Sequence, residues 1–351
     1  MQKRKVTMKD VASKAGVSRA SVSVAFNNPG KLASETVDRI FQAASELGYV
    51  VDPVARTMRT RTTSAIGLLI PQTIEETIQN PYYPRLIEGI GQVCLREGYN
   101  LLLVPPLRGS MLHAIPTAAV DGFLISGLED NRSEVLDILG DHLPAIVIDP
   151  SERHDISTVG IDDSEDFYDL VMHLLALGHE RIAFAAIYTD TSERVTGWKG
   201  TMRRRVEGAM RALAKHGLSI ESPNIILCEV PSTYRGGEEA FRILWGSERR
   251  PTAIVAFSDV IALGIMHAAR NAKVNIPTDL SVTGYDDLPG TELVNPGLTT
   301  IRQPIVAKGR IAAEMLVERI KSTVPSLVEH KKLQTTLIVR GTTAPPNNQK
   351  K

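Results

Sequence analysis

The sequence is poor in cysteine, which limits how the fold can be stabilised. Cys94 and Cys228 are its two cysteines, and each falls in or beside an apolar segment. Cysteines in such surroundings are usually buried and behave as small hydrophobic side chains. We therefore expect two buried free thiols, and not the disulfide that would be typical of a secreted chain.

Long apolar runs are also absent. No stretch approaches the roughly 20 apolar residues that a membrane-spanning helix needs. The N-terminus is basic, but the residues that follow it, Thr7 to Ala12, do not form the apolar core of a signal peptide. We expect a cytoplasmic protein without a membrane partner.

The motifs of common enzyme classes are missing as well. The eight histidines are scattered without the spacing of metal ligands, and neither a Gly-x-Ser-x-Gly motif nor a P-loop occurs. Gly89-Ile-Gly91 comes close to a dinucleotide-binding fingerprint, but Cys94 stands where the third glycine belongs. The sequence therefore predicts no enzyme, no metal site and no cofactor.

The charges balance over the whole chain but are unevenly distributed. The formal net charge is zero, yet residues 1–63 hold 11 lysines and arginines against 5 acidic residues, so this segment carries +6 and the remainder −6. A basic segment on an acidic body indicates a polyanionic partner for that segment alone. The alternative is a solvated basic tail.

The first 50 residues predict three short helices. Thr7 is expected to cap the first helix, with Asp10 completing a capping box. Ser18 is expected to cap the second helix and Ser34 the third, which should end at Gly48. Three such helices with a tight turn indicate a helix-turn-helix, in which the second helix lies in the major groove of DNA.

Two sets of side chains are candidates for DNA contact. Side chains at the start of the second helix would face base edges, where arginine grips guanine, serine discriminates less and alanine touches only a thymine methyl group; these are Arg19, Ala20, Ser21 and Ser23. Others are placed to contact DNA phosphates, and such contacts fix the register of the protein on the duplex; these are Thr7, Ser18, Asn27 and Lys31. On these residues alone, a small structural bundle is the alternative.

From residue 64 onward, apolar strands alternate with helices of about 10–15 residues. Strands that are apolar throughout are typical of parallel sheets covered on both faces. We predict strands at 65–70, 100–104, 122–125, 145–148, 181–186, 224–228, 253–257 and 281–284, and helices near 83–97, 164–177, 202–216, 235–245 and 260–270. A segment of about 280 residues is too long for one core. We expect two subdomains with a ligand cleft between them, at the carboxyl ends of the strands.

The segment from Thr7 to Asn27, TMKDVASKAGVSRASVSVAFN, resembles the DNA-binding signature of the lactose-repressor (LacI/GalR) family. The resemblance continues nearly end to end through dispersed motifs in the right order: Leu47-Gly-Tyr49, Pro53 to Arg56, Ile66 to Ile70, Val120-Asp-Gly122, Leu177-Gly-His179 with Arg181-Ile182, Arg205 to Gly208, Arg250 to Ala253, Gly284-Tyr-Asp286 and Leu298 to Ile301. It implies an N-terminal all-α helix-turn-helix unit and an α/β body of two parallel-sheet subdomains, periplasmic-binding-protein-like in fold.

The resemblance also implies a domain organisation. The expected parts are a DNA-binding domain at 1–50, a hinge at 51–63, an effector-binding and dimerisation domain at 64–343 and a disordered tail at 344–351. Within the large domain, the expected first subdomain is about 64–163 and 292–323, and the second is about 164–291 and 324–343. The tail has no leucine heptads, so a coiled-coil tetramer module is absent. We expect a homodimer that reads a near-palindromic operator in double-stranded DNA.

Residues 53–60 match the family's hinge helix, which packs against its partner over the minor groove of the operator. Met58 stands where the family usually has a leucine that wedges into the central base step, and methionine is apolar and flexible enough to do the same. Arg59 is expected to lie in the groove beside it, and Ala55 to let the two hinge helices approach. An ordinary linker is the alternative for this segment.

The family's effector-binding positions carry over unevenly. Arg205 matches an arginine that grips ligand oxygens, with a surface arginine as the alternative, and Asp286 matches an acid that binds polar ligand groups. Tyr82 and Tyr83 match a segment that covers the ligand, with packing at the subdomain interface as the alternative.

Further effector positions rest on looser matches. Ser258 is expected to touch the ligand and Asp259 to cap the next helix, in addition to its place in the ligand site. The weaker candidates are Asp149, Asp162, Gln303 and Arg194. Two departures affect this region: the segment 105–120 is shorter than the family pattern, which should truncate a helix, and the loop 189–202 is longer. Trp198 in that loop is expected to cover the pocket or a partner.

The sequence thus predicts a transcriptional regulator, a repressor, that is allosterically controlled by a small polar metabolite. A carbohydrate is the expected effector, and a nucleobase or another metabolite is the alternative. A transport-type sugar-binding protein of the same body fold would need an export signal and has no use for a DNA-reading unit.

Overall fold

The computed structural model describes residues 6–50, 57, 62–70, 72–127, 143–150, 156–188, 197–322 and 327–347. The chain divides into two compact units, Met1–Thr63 and Ser64–Lys351, which we call the N-terminal and C-terminal units. Over these described residues, none of the helices is both long and apolar enough to cross a bilayer.

The N-terminal unit is a three-helix bundle made of α1 Met8–Ala15, α2 Arg19–Asn27 and α3 Ser34–Leu47, with a 3₁₀ turn at Pro29–Lys31. Val11, Val22 and Ile40 are fully buried in its core. The predicted capping of the first two helices is confirmed, because the Asp10 carboxylate accepts from the Thr7 backbone N–H and the Ser18 hydroxyl accepts from the Ser21 N–H.

The predicted cap of the third helix is wrong. Ser34 is already the first residue of α3, and Ala33 occupies the N-cap position without a side-chain hydrogen bond. The end is as predicted, because Gly48 adopts the left-handed conformation (φ 64°) that a helix C-terminus favours.

The C-terminal unit alternates strands and helices. In chain order the elements are β1 Ala65–Leu69, α4 Ile74–Gln79, α5 Tyr82–Glu97, β2 Asn100–Val104, α6 Met111–Ala114, β3 Phe123–Ser126, β4 Ala145–Ile148, β5 Ser157–Gly160, α7 Asp163–Ala176, β6 Ile182–Ile187, α8 Gly200–Ala214, β7 Ile225–Val230, α9 Tyr234–Trp245, β8 Ala253–Ala256, α10 Asp259–Asn271, β9 Ser281–Asp286, β10 Thr299–Arg302, α11 Ile305–Lys321, β11 His330–Lys332 and β12 Thr336–Ile338.

The strands form two sheets, each the centre of one subdomain. The first sheet has the order β11-β5-β4-β3-β1-β2, and the second has the order β12-β10-β9-β8-β6-β7. Their described strand pairs are parallel except that β12 runs antiparallel to β10. Apolar side chains pack on both faces of each sheet. The predicted fold class, a helical N-terminal unit followed in the chain by two mostly parallel α/β sheets, is confirmed.

The predicted boundaries within the subdomains need correction. The segment 292–323 is predicted in the first subdomain; its helix α11 does pack there, but β10 pairs with β9 in the second sheet. The segment 324–343 is predicted in the second subdomain; β12 does lie in the second sheet, but β11 pairs with β5 in the first sheet. The chain passes between the sheets at 161–162, 303–304 and 333–335. Such short strands carry little apolar pattern, so backbone pairing decides which sheet they join.

The predicted disordered tail, 344–351, is wrong in its first part. The backbone of Ala344 exchanges hydrogen bonds with the Ser281 hydroxyl, and its carbonyl also lies 2.9 Å from Nε2 of the buried His179. Residues 348–351 lie outside the described part of the chain. Both cysteines are buried and free, as predicted.

Two glycines bring α5 and α11 into close contact in the first subdomain. A Cβ built on Gly89 would lie 1.9 Å from the Val306 carbonyl oxygen, and one on Gly309 would lie 2.2 Å from the Leu86 carbonyl oxygen. Only residues without a side chain allow two helix backbones to approach so closely. This approach places the N-terminal turns of both helices side by side at the carboxyl end of the first sheet.

The short segment 105–120 forms a turn, the four-residue helix α6 and a 3₁₀ turn at Ile115–Thr117. The truncation predicted for this helix is therefore present. Met111, Ala114 and Ile115 are buried against one face of the first sheet. The segment thus covers part of that face with few residues.

Candidate functional site

The N-terminal unit displays most of the predicted DNA-contacting side chains. Arg19, Ala20, Asn27 and Lys31 are exposed, as are Thr7 and Ser18, whereas Ser21 and Ser23 are half-buried. The Ser18 and Ser21 hydroxyls lie 2.9 Å apart, so both also serve the cap of α2. Ala55, Met58 and Arg59 lie outside the residues that the structure describes.

A buried lysine organises the first-subdomain wall of the cleft. Lys308, in the first turn of α11, is 0% exposed. Its ammonium lies 2.8 Å from both carboxylate oxygens of Asp149, which directly follows β4. The Tyr82 hydroxyl, at the start of α5, donates to the same carboxylate at 2.8 Å. Burial, and then the neighbouring Asp149 carboxylate, raise the pKa of Tyr82 well above its usual range.

Gln303 joins this group to the second subdomain. Its side-chain carbonyl accepts from Lys308 Nζ at 2.8 Å, and its amide donates to an oxygen of Asp286 at 2.6 Å. Gln303 lies where the chain crosses from β10 to α11, so the contact spans the two subdomains. Burial, followed by the charge of Asp259, raises the pKa of the Asp286 carboxyl well above its usual range.

Asp149 and Asp286 both adopt backbone conformations that non-glycine residues rarely use. Their φ angles are 53° and 127°. Such conformations cost of order 1–3 kcal/mol and concentrate at functional sites. Both residues follow or end a parallel strand, at the edge where ligands bind in α/β sheets.

Arg205 forms the centre of a second buried group. It is 7% exposed, its Nε donates to Asp163 at 3.0 Å, and its Nη1 donates to the Phe257 carbonyl oxygen at 2.6 Å. The guanidinium lies 4.0 Å from the centre of the Tyr285 ring, within the range of a cation–π contact. The surface alternative for Arg205 is therefore wrong.

Asp163 is shared between two arginines. It accepts from Arg205 and also from Nη2 of Arg204 at 2.9 Å. Burial alone would raise the pKa of this carboxyl, but the two guanidinium groups outweigh that effect and lower it. Arg204 also donates to the Pro150 carbonyl oxygen, which belongs to the first subdomain. This contact is a second connection across the cleft.

The predicted ligand position Asp162 lies outside the buried polar group, and the next residue, Asp163, lies in it. Its side chain caps α7 by accepting from the Glu165 N–H at 3.1 Å, and it forms an exposed ion pair with Lys332 at 2.7 Å. The neighbouring Asp163 is buried instead, where it accepts from Arg204, Arg205 and Tyr285. Two adjacent aspartates at a strand-to-helix turn cannot be distinguished by residue type, and only the start of the helix decides which one is buried.

The helix cap predicted at Asp259 is made by Ser258 instead, and Asp259 is held in buried contacts of the second subdomain. Ser258 caps α10 by accepting from the Ile261 N–H. The fully buried Asp259 accepts from the Leu288 N–H at 2.7 Å and from the Thr300 hydroxyl at 2.6 Å. Burial raises the pKa of Asp259 to about 6. Asp259 therefore braces the loop after Asp286.

The remaining predicted positions divide into three cases. Tyr83 is 6% exposed and its ring meets Tyr82 edge-on at 5.5 Å, so these rings pack against each other at the cleft wall. Trp198 is 1% exposed in the core of the second subdomain, 6.2 Å from the Phe257 ring, and so does not cover a partner. Arg194 lies outside the described residues.

Sequence reasoning missed Lys308 and Asp163. A signal for Lys308 was available, because Ile305, Lys308 and Ala312 follow the spacing of the buried face of α11. A lysine within an apolar helical stripe indicates a buried charge that needs a partner. The Asp149 carboxylate meets that need.

Comparison with known proteins agrees with both units. The family profile described as "Bacterial regulatory proteins, lacI family" matches residues 7–52, and that described as "Periplasmic binding protein-like domain" matches residues 171–343. An HTH-type transcriptional repressor, PurR, from Vibrio campbellii is 31% identical over 96% of this chain and 98% of the relative.

Two solved structures extend this comparison. A complex of the transcriptional regulator CelR with cellobiose has a TM-score of 0.68 at 26% identity, and covers 96% of this chain and 100% of the other. The lac repressor dimer bound to operator and an anti-inducer shares the fold, with a TM-score of 0.80 at 24% identity over 97% of this chain and 100% of the other. The chain therefore belongs to the LacI family of bacterial regulatory proteins and is a DNA-binding transcriptional repressor.

Proposed function

We propose that the chain is a homodimeric repressor whose operator affinity is set by a small polar effector bound between the two subdomains of the C-terminal unit. The single observation that carries the effector site is the buried polar set around Arg205 and Asp286. Buried charges without a structural need are costly, and they concentrate at ligand sites.

A carbohydrate is the effector that fits this site best. Arg205 contributes a planar set of donors, of which Nη2 makes no hydrogen bond to a described residue, and Asp286 contributes a carboxyl with one oxygen taken by Gln303. A donor and an acceptor side by side suit the hydroxyl pairs of a sugar. The CelR relative, solved with cellobiose, supports the same class.

A nucleobase is the second candidate. The repressors named PurR among the relatives favour it, since a base also presents neighbouring donors and acceptors. A thermal-shift screen separates the two classes. We expect cellobiose, D-ribose or another sugar to raise the melting temperature of the protein, whereas a response to hypoxanthine or guanine alone would replace the carbohydrate assignment. No response to any compound would contradict an effector site.

DNA recognition is proposed to combine the exposed face of α2 with the hinge residues Ala55, Met58 and Arg59. Selection from a random duplex pool should recover near-palindromic sites, because a two-fold dimer presents two recognition helices. Arg19→Ala should relax base preference within each half-site, at a cost of about 1–3 kcal/mol. Met58→Gly should weaken every selected site and leave effector affinity unchanged. Recovery of single, non-repeated half-sites would contradict the dimeric mode.

A further inference from the structure

Lys308 is fully buried in the cleft wall. A buried charge is costly unless neighbouring groups compensate it. Nζ meets the Asp149 carboxylate at 2.8 Å, the Gln303 carbonyl at 2.8 Å and the Tyr82 hydroxyl at 3.5 Å. An ammonium group has three N–H donors and no acceptor. Three oxygen-bearing side chains around one nitrogen therefore form a receptor for a primary ammonium group.

With Lys308 in place, the first-subdomain wall has little capacity left to accept hydrogen bonds from a ligand. One Asp149 oxygen accepts from Lys308, and the other accepts from both Lys308 and Tyr82. The wall is also electrically neutral, because the lysine balances the aspartate. Asp149 has a φ of 53° in this arrangement.

The position of this wall relative to Asp286 makes it relevant to ligand selection. Gln303 accepts from Lys308 and donates to Asp286, and Asp286 is close enough to contribute to the raised pKa of Tyr82. A molecule bound at Asp286 therefore lies beside a wall whose ammonium site is already filled.

We propose that Lys308 is a specificity-determining residue: the chain's own ammonium group fills the amine site between Asp149, Tyr82 and Gln303, and the cleft therefore selects effectors that carry no ammonium group facing this wall. The proposal rests on the effector cleft of the proposed function. In this proposal, the first-subdomain wall excludes ligands that carry an ammonium group. The wall that holds Arg205 and Asp286 binds the effector.

Chemical rescue tests the amine site without operator or effector. Lys308→Ala removes the atoms of one propylammonium ion. n-Propylammonium chloride should raise the melting temperature of this variant by several degrees more than n-propanol at the same concentration, and should leave the wild-type protein unchanged because its site is filled. Equal responses to the amine and the alcohol would overturn the proposal.

The matched control is Lys308→Ala combined with Asp149→Asn. Removal of the carboxylate should abolish the difference between amine and alcohol, since the neutral amide no longer attracts a cation. A persistent preference for the amine in this double variant would place its binding elsewhere and would also overturn the assignment. The outcome does not depend on whether any effector controls DNA binding.

A selectivity measurement tests the consequence for ligands. The affinities of D-glucosamine and D-galactosamine, each divided by that of its parent sugar, should rise at least tenfold in Lys308→Ala relative to the wild-type protein. Lys308→Met, which keeps most of the side-chain volume, provides the same readout if the alanine variant does not fold. An unchanged ratio in a folded variant would reduce Lys308 to a structural ion pair and refute its role in specificity.

Discussion

Single residues of the cleft show how buried charges are kept in place. Lys308 is balanced by Asp149, and Asp163 is shared by Arg204 and Arg205. Asp286 lacks a cation within ion-pair distance among the described residues and is bonded to Gln303 instead. A buried carboxyl in this setting holds its proton more tightly, which agrees with its raised pKa.

Arg205→Lys tests the recognition wall at this scale. Lysine cannot reach both Asp163 and the Phe257 carbonyl with the fixed geometry of a guanidinium group. We expect calorimetric affinity for the most effective compound of the screen to fall at least tenfold, or about 1.4 kcal/mol. Arg203→Lys, on the exposed side of the same helix, is the matched control and should bind as the wild-type protein does. Equal affinities in both variants would remove Arg205 from the site.

His179 gives a pH-dependent prediction. It is 1% exposed, with Nδ1 2.9 Å from the Thr252 hydroxyl and Nε2 2.9 Å from the Ala344 carbonyl, and burial lowers its pKa below the usual 6.5. A histidine whose folded-state pKa is lowered contributes stability above pH 6.5 that is lost as pH falls through the lowered value.

His179→Gln should remove this contribution. Its melting temperature should be lower than that of the wild-type protein at pH 7, but should fall less between pH 7 and pH 5. Burial lowers the pKa of His173 in the same way, so His173 should still cause part of the fall in melting temperature. The exposed His216 serves as control, and His216→Gln should follow the wild-type curve. Identical slopes for His179→Gln and the wild-type protein would show that His179 does not titrate in this range.

At the scale of elements, the contact between α5 and α11 places the first-subdomain wall. Gly309→Ala would bring a methyl group to 2.2 Å from the Leu86 carbonyl, and overpacking of this kind costs about 1–3 kcal/mol. Gly91, in the partner helix α5, has open space around it. Gly91→Ala should therefore stabilise the protein by about 0.5–1 kcal/mol. Urea unfolding of both variants measures the difference, and equal stabilities would contradict close packing as the reason for Gly309.

The elements also show what the sequence could predict. All eight predicted strands are present within one or two residues, because runs of mostly apolar residues are typical of the strands of covered parallel sheets. The missed strands β5, β10, β11 and β12 are short, and several of them are polar. Their positions follow from pairing with distant segments, such as His330 beside Thr158, which no local pattern encodes.

The site was predicted less well than the fold for a related reason. Arg205, Asp286, Tyr82, Asp149 and Gln303 do belong to the two buried polar groups, and of these Asp149, Asp286 and Gln303 end or follow strands while Tyr82 and Arg205 lie in helices. Asp162 and Asp259 were misassigned because their roles depend on which residue begins a helix. Lys308 was missed because its partner, Asp149, is 159 residues away in the chain.

At the scale of the whole molecule, the contacts between subdomains offer a route for control. Gln303 and Arg204 each bond across the cleft, so a ligand at Asp286 competes with or reinforces the contacts that hold the subdomains together. A ligand can shift an equilibrium only through its different affinity for the two states. Coupling energies of about 1–3 kcal/mol correspond to changes of roughly 5- to 150-fold in operator affinity.

The central claim is that effector binding at Arg205 and Asp286 sets operator affinity, and one measurement tests it directly. The dissociation constant for a duplex selected by the full chain should be measured with and without the most effective compound, for the wild-type protein and for Arg205→Lys. The account predicts a change of at least fivefold in the wild-type protein and almost none in the variant. A wild-type dissociation constant that stays the same when the compound is saturating would contradict it.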